Sequence, residues 1–331
     1  MSFFAMASAP LTDQQRRAVA CFQALAIGDA LGKQTEALPF RDVRMWYPEG
    51  VRGFEGVPGD VIPRYKGKRY EWRIGETTDD TEQTLAVARA ALRDRTFSHV
   101  TVGQELLRSV KSVHPGVAMW PFVEANDRAR VAADGDGCGA AMRVSPVGLM
   151  YRPNQIDGII RAAYECSIPT HGGQSAICAA AAVAAAVSAS LEGCSRGEVL
   201  AAALRAATVA ESLRPPTRPH SIGAALAEIH ADLSAHLPLT PEYIADRYFP
   251  ATPETKTPLA ISLALITESA ERTALLAANA GGDADSVASM GAAIAGALRP
   301  DTVKREWHEI VSSVNDDDVV AAALALVSMR E

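Results

Sequence analysis

Apolar residues recur along this chain at three- and four-residue spacings rather than in alternation, a pattern that predicts helices almost throughout. Thr12 followed by Gln15 forms a capping box. Ala18, Phe22, Leu25 and Asp29 then repeat at helical spacing, which predicts a first helix to about Leu31 with Gly32 as its stop. From Thr35 to Arg73 the periodicity vanishes while prolines and glycines recur, predicting a long loop, and long loops in compact domains are often functional. A second helix is expected from near Asp79, with Leu85, Ala88 and Leu92 on one face, and a third over roughly Val100 to Val113. Gly135 to Gly139 reads as a glycine-rich turn, and Gln174 to Glu192 as an alanine-rich helix ended by Gly193 at the centre of the fold. Ser195 with Glu198 is a second capping box, launching a helix to about Leu213 that Pro215 and Pro216 terminate. Thr240-Pro241 and Thr257-Pro258 each place an N-cap before a first-turn proline, and the last helices are expected after Ser286, Thr302 and Asp316. With no alternating strand and no internal repeat, the pattern predicts an all-α fold: one unit over residues 1–331, residues 1–10 forming a flexible tail.

Composition narrows this picture. Nearly half the residues are apolar but only 6% are aromatic, so packing must come from many close helix contacts rather than a few large rings. A formal charge of -7 works against unassisted binding of polyanions, and no nucleic-acid partner is expected. Ala176 to Leu191 is the most lipid-like run, yet it is shorter than the roughly 20 residues of a membrane span, so a buried core helix is expected and no membrane. Five cysteines, an odd number with no CxxC pair, and an N-terminus without a basic leader fit a reducing, cytoplasmic setting.

The carboxylates carry the candidate chemistry. Asp29 falls on the apolar face of the first helix, which points it inward, where a compensating group is needed; a hydrogen-bonded aspartate capping a neighbouring helix would satisfy it. Thr77-Thr78-Asp79-Asp80-Thr81-Glu82 opens the second helix; one aspartate could serve as a cap, but two among hydroxyls also supply the oxygen ligands that hard cations prefer. In Asn279-Ala280-Gly281-Gly282-Asp283-Ala284-Asp285-Ser286, an extended turn would let Asp283 and Asp285 converge on one ion, with Ser286 capping the next helix or adding a hydroxyl ligand; the alternative is a solvated acidic loop. Two acidic turns some 200 residues apart satisfy one another most simply through shared cations, and the absence of a Cys/His ligand set disfavours zinc and points to magnesium or manganese.

Four separated motifs then resemble the ADP-ribosylglycohydrolases: Gly28-Asp29-Ala30-Leu31-Gly32 with Glu36; Thr78-Asp79-Asp80-Thr81; Gly137-Cys138-Gly139-Ala140-Ala141-Met142-Arg143 with Pro146 and Gly148; and Gly281-Gly282-Asp283-Ala284-Asp285-Ser286. Thr170-His171 fits a weaker fifth, and the match runs from about Val19 to Leu298. The resemblance implies an orthogonal helical bundle whose central cleft holds two Mg2+ or Mn2+ ions on Thr78, Asp79, Asp80, Asp283, Asp285 and Ser286. It also implies removal of ADP-ribose from a modified protein or small acceptor by cleavage of an N-glycosidic or related bond to ribose C1. Gly137, Cys138, Gly139 and Ala140 would accommodate ribose and phosphates, with His171, Gly281 and Gly282 lining the substrate site. Glu36 is the first choice for general base, with Asp80 and Asp136 as alternatives. Three departures bear on substrate preference: Ala284 and Ser286 stand where threonines are usual, and Cys138 where an asparagine is usual.

Other readings differ in what they would release. A nucleoside or nucleotide ribohydrolase of the same fold would free a base, a helical phosphohydrolase would free phosphate, and a non-catalytic relative would free nothing. The basic stretch Arg64 to Arg73 could clamp phosphate and stack a base, although a solvated basic loop is its ordinary reading; Trp120 and Phe122 are expected in the core.

Overall fold

The computed structural model describes residues 10–109 and 117–330. Among these residues the fold is helical without a strand. Helix α1 (Asp13–Gly32) starts on its capping box, in which the Gln15 amide N donates to Thr12 Oγ1 (3.2 Å) and the Thr12 amide N donates to Gln15 Oε1 (2.9 Å). Gly32 is the last residue of the helix, as expected. It ends the helix in right-handed conformation, and its missing side chain is needed elsewhere: a Cβ there would lie 2.4 Å from the Ala284 carbonyl oxygen, and one at Gly28 2.3 Å from that of Ala288. These two glycines let α1 run backbone to backbone against α15 (Ala284–Leu298), and an alanine-rich sequence supplies the rest of that close contact.

The 35–73 segment is mostly irregular but holds a short helix that periodicity missed, α2 (Phe40–Trp46), about two turns long and with only Val43 buried. Further on, an antiparallel bridge between Val61 and Arg73 closes a small arch over the cluster Ile62, Trp72 and Ile74. Then come α3 (Asp79–Asp94) and α4 (His99–Leu106). The third predicted helix thus stops short of Val113, and the rest of that expectation, like most of the 1–10 tail, lies outside the described residues. Helix α5 (Trp120–Ala125) buries Phe122 but leaves Trp120 52% exposed, so only one of the two rings joins the core; Trp120 stands at the first turn, followed by Pro121, facing solvent.

Helices α6 (Gly139–Met142), α7 (Ser145–Met150) and α8 (Ile156–Ser167) lead to α9 (Gln174–Leu191), which is buried on all sides among α7, α8, α10 (Arg196–Ala210) and α15. Its length and hydropathy would suit a membrane span, but 94% of it is covered by the rest of the fold. The Ser195–Glu198 capping box opens α10, and Gly193, with φ +71°, turns the chain after α9.

The final helices are α11 (Ile222–Ala235), α12 (Pro241–Tyr248), α13 (Pro253–Thr267), α14 (Ala270–Ala280), α15 (Ala284–Leu298), α16 (Arg305–Val314) and α17 (Val319–Val327). Thr240 and Pro241 start α12 as expected. Thr257-Pro258 does not start a helix: α13 begins five residues earlier at Thr252-Pro253, and Pro258 sits inside it at the cost of one ladder hydrogen bond, embedded in the buried run Thr257 to Leu265. The helix expected after Ser286 begins at Ala284, which places Asp283 at the N-cap and Asp285 in the first turn.

Candidate active site

The N-terminus of α3 is built on Asp29. The Thr78 amide N donates to both Asp29 carboxylate oxygens (3.0 Å each), and the amide N and Oγ1 of Thr81 donate to Oδ2 (3.0 and 2.5 Å). The compensation for this fully buried carboxylate is therefore a helix N-terminus and a hydroxyl. Burial pushes the Asp29 pKa up, against these hydrogen bonds. The cap fixes the first turn of α3, and so aims Asp79 and Asp80 across the cleft at the first turn of α15.

The turn before α15 is held just as firmly. Gly281 and Gly282 have φ of +79° and +66°, and a Cβ on either would press on the Leu38 carbonyl oxygen (2.3 Å) or on Pro250 (2.9 Å). The Ala37 amide N donates to the Gly282 carbonyl oxygen (2.7 Å) and the Gly282 amide N to that of Leu38 (2.9 Å), which ties the Glu36 loop to the same turn. Asp283 and Asp285 face the cleft from the start of a helix, not from the extended turn that alternation implied. Ser286 does not cap α15; its Oγ reaches across to Asp80 Oδ2 at 3.4 Å.

A cleft of about 700 Å³ gathers Glu36, Asp79, Asp80, Asp283, Asp285 and Ser286 from three segments. Asp136, Gly137, Cys138, Gly139 and His171 form another part of its lining. Thr78 stands just behind, its Oγ1 3.4 Å from Asp80 Oδ2. Three residues expected to touch substrate do not line the cleft: Ala140 is fully buried in α6, while Gly281 and Gly282 shape the turn. Asp136 lines it with its carboxylate already engaged, accepting from Thr217 Oγ1 (2.9 Å) and lying 3.6 Å from Arg218 Nε.

Electrostatically the cleft is loaded. Burial, then the neighbouring charges of Asp29, Asp79 and Asp283, push Asp80 well above the carboxylate range; burial and then Glu36 do the same to Asp285. Asp79 is pushed up to about 7, first by burial and next by Asp29. Asp283 is the exception. Burial alone would raise it, but Lys256 Nζ at 2.6 Å and the Cys138 thiol, donating from 3.0 Å, together hold it below its usual value. Lys33 pairs with Glu36 and stands 3.9 Å from Asp285. Both lysines escaped the sequence reading, since an isolated lysine carries no signal of partners brought to it by tertiary packing.

Among the described residues no three acidic, histidine or cysteine side chains converge at metal-ligating distance; the carboxylates lean on these two ammonium groups instead. The donor set nevertheless fits a pair of hard cations. It offers only carboxylate and hydroxyl oxygens apart from the Cys138 thiol, and the buried Asp80 Oδ1 has no hydrogen-bond partner, an orphaned acceptor aimed among like charges.

The glycine-rich turn owes its sequence to His171. A Cβ on Gly139 would fall 2.6 Å from His171 Cε1, and one on Gly137 3.1 Å from Nε2. Burial, then the Arg143 charge, lowers the His171 pKa to about 3, so the ring is neutral. Its Nδ1 lies 2.6 Å from Thr170 Oγ1, which in turn accepts from Arg143 Nη2 (2.7 Å). Arg143, fully buried, also donates to the Cys166 and Ser167 carbonyls and to Gln83 Oε1. This last residue of the glycine-rich motif thereby locks the His171 loop to α3.

Comparison with known proteins agrees with this architecture. The sequence model of the ADP-ribosylglycohydrolase family matches residues 10–331. An uncharacterized protein of Archaeoglobus fulgidus is 30% identical over 319 residues, covering 94% of this chain and 96% of that one. The uncharacterized protein YegU of Escherichia coli is 27% identical over 323 residues, 92% of this chain and 95% of its own. A solved ADP-ribosylglycohydrolase-related protein complex superposes with a TM-score of 0.67 at 27% identity, over 97% of this chain and 100% of that one. This chain, all-helical with its four acidic and glycine-rich motifs gathered in one cleft, belongs to the ADP-ribosylglycohydrolase family.

Proposed function

We propose that the chain removes ADP-ribose from a modified protein or a small acceptor, using two Mg2+ or Mn2+ ions held by Thr78, Asp79, Asp80, Asp283, Asp285 and Ser286. The observation that carries this reading is the convergence of Asp80 with Asp283, Asp285 and Ser286 from opposite ends of the sequence around an unpartnered carboxylate oxygen. When bound, the cations supply electrophilic contacts for the ribose hydroxyls and a positioned water. Lys256, paired with Asp283, and Lys33, 3.9 Å from Asp285, would yield those two aspartates to the cations, Lys33 keeping its pairing with Glu36.

Glu36 stands at the edge of the cleft with about a third of its side chain (32%) open to solvent, and takes the proton of the attacking water. The positive charge that grows on ribose as its C1 bond breaks is stabilised by the surrounding aspartates. Gly137 and Gly139 keep the opposite wall free of side chains for the diphosphate. His171, neutral and fixed by Thr170 and Arg143, presents a ring of constant charge to it. Asp136, committed to Thr217 and Arg218, acts as a brace for the glycine-rich turn.

A screen of ADP-ribosyl-arginine, ADP-ribosyl-serine, O-acetyl-ADP-ribose and simple nucleosides, each with Mg2+ and with Mn2+, tests the reading. Free ADP-ribose is the expected product. Release of a nucleobase, of phosphate, or of nothing from every compound would contradict it.

A further inference from the structure

A second cavity of about 490 Å³ adjoins the cleft and shares two of its residues, Glu36 and Asp79. Its lining is otherwise of opposite character: Lys33, Arg64, Lys68 and Arg69 contribute four cations, backed by Tyr65, Tyr70 and Trp72. In a chain of net charge -7 this is a marked concentration of positive charge. The basic stretch after Pro63 is thus not simply a solvated loop. Arg64 folds back to donate to the carbonyls of Gln34 (2.8 Å) and Glu36 (2.6 Å), and Trp72 is buried beneath Lys33. Only the tip remains free, where Lys68 and Arg69 are exposed and form no ion pair among the described residues.

We propose that this cavity is the acceptor subsite and that it selects a ribosylated acidic peptide. The inference rests on the glycohydrolase reading, because the scissile bond would then lie at the junction marked by Glu36 and Asp79. All the other proposed metal ligands on the wall belong to the larger cleft, which assigns the ADP-ribose to that side and the departing group to the basic one. Two features decide the chemistry of that group. First, the uncommitted charges at the rim are both cations, whereas the negative charges facing the cavity are occupied: Glu36 is paired with Lys33, and Asp79 accepts from Gln83 Nε2 (3.0 Å). Of the nearby loop groups, Glu71 accepts from the Gly67 amide N and Arg73 donates to the Gly59 carbonyl. Second, the aromatic faces are already covered, Trp72 by Lys33 (4.3 Å to the ring centre) and Tyr65 by Arg64 (4.1 Å), while Tyr70 tilts against Trp72. Trp72 is buried and each of the two half-buried tyrosines already carries a neighbour, so base stacking has less to offer here than the free cations of the rim, which favours an acidic peptide over a nucleic acid.

The test uses peptides ADP-ribosylated on one serine and flanked by either aspartates or lysines, with the full chain and its divalent cation. The aspartate-flanked peptide is expected to be cleaved with at least a tenfold higher kcat/KM than the lysine-flanked one. In the double variant Lys68→Glu, Arg69→Glu that ratio should invert. Equal rates in the wild type, or a ratio unchanged in the double variant, would overturn the proposal. Binding of the unmodified aspartate peptide, followed by fluorescence anisotropy without metal, separates this from the underlying reading. Binding at least tenfold weaker to the double variant is expected even if no substrate is cleaved, in which case the glycohydrolase reading fails and the subsite stands. No binding, or equal competition by a single-stranded oligoribonucleotide of the same length, would sink the subsite itself.

Discussion

Asp29 and Glu36 illustrate how burial divides roles among carboxylates of one type. Asp29 accepts four hydrogen bonds from Thr78 and Thr81 and has no exposed surface, so its work is to orient the start of α3. Glu36 has a single charged partner and partial access to solvent, which suits a group that must gain and lose a proton. Replacement Glu36→Gln should leave cation binding in place, read as an undiminished metal-induced rise in melting temperature, while lowering kcat by about 100-fold or more; an unchanged kcat would remove Glu36 from the chemistry. His171 gives a stability test. Its folded pKa of about 3 lies below the ordinary 6.5, so between those values the unfolded chain binds a proton that the folded chain refuses, and stability falls as pH drops through this window. The contribution lost by pH 5 is about 2 kcal/mol. Urea titrations of the wild type and His171→Gln at pH 7 and pH 5 should show a shallower pH dependence in the variant; parallel losses would contradict a buried neutral ring.

At the scale of elements, the α1–α15 contact matters most, because α1 carries Asp29 and leads into the Glu36 loop while α15 starts with Asp283 and Asp285. Substituting Gly28→Val should force the two backbones apart, costing about 1–3 kcal/mol or more in urea unfolding and weakening cation binding in parallel. Full stability and full cation binding in that variant would show that the two helices do not set the spacing of the acidic turns. The sequence exposed these elements unevenly. Capping boxes at Thr12 and Ser195 are local, so they were legible, as was the Thr78 start of α3. Pro258 misled because Thr-Pro looks alike at a helix start and one turn inside, and the packing duty of Gly32, beyond ending its helix, is visible only from the neighbouring helix. The Phe40–Trp46 helix buries a single residue, and so left no periodic trace.

For the whole molecule, membership of a hydrolase family and the convergence of distant acidic turns were both readable from motif order, since spacing over some 250 residues constrains one fold strongly. What the spacing could not carry was the charge balance: Lys33 and Lys256 reach the carboxylates through tertiary packing alone, and Asp136 is diverted by Thr217 and Arg218 from a loop more than eighty residues away in the chain. Burial and neighbouring carboxylates still raise Asp80 and Asp285, a repulsion that bound cations would relieve. The most direct test is a calorimetric titration of the metal-free chain with Mn2+, run beside Asp285→Ala. Two ions per chain should bind the wild type, and binding should be lost in the variant while its helical circular-dichroism signal persists. A wild-type chain that binds no Mn2+, or a variant that binds two as tightly, would contradict the account.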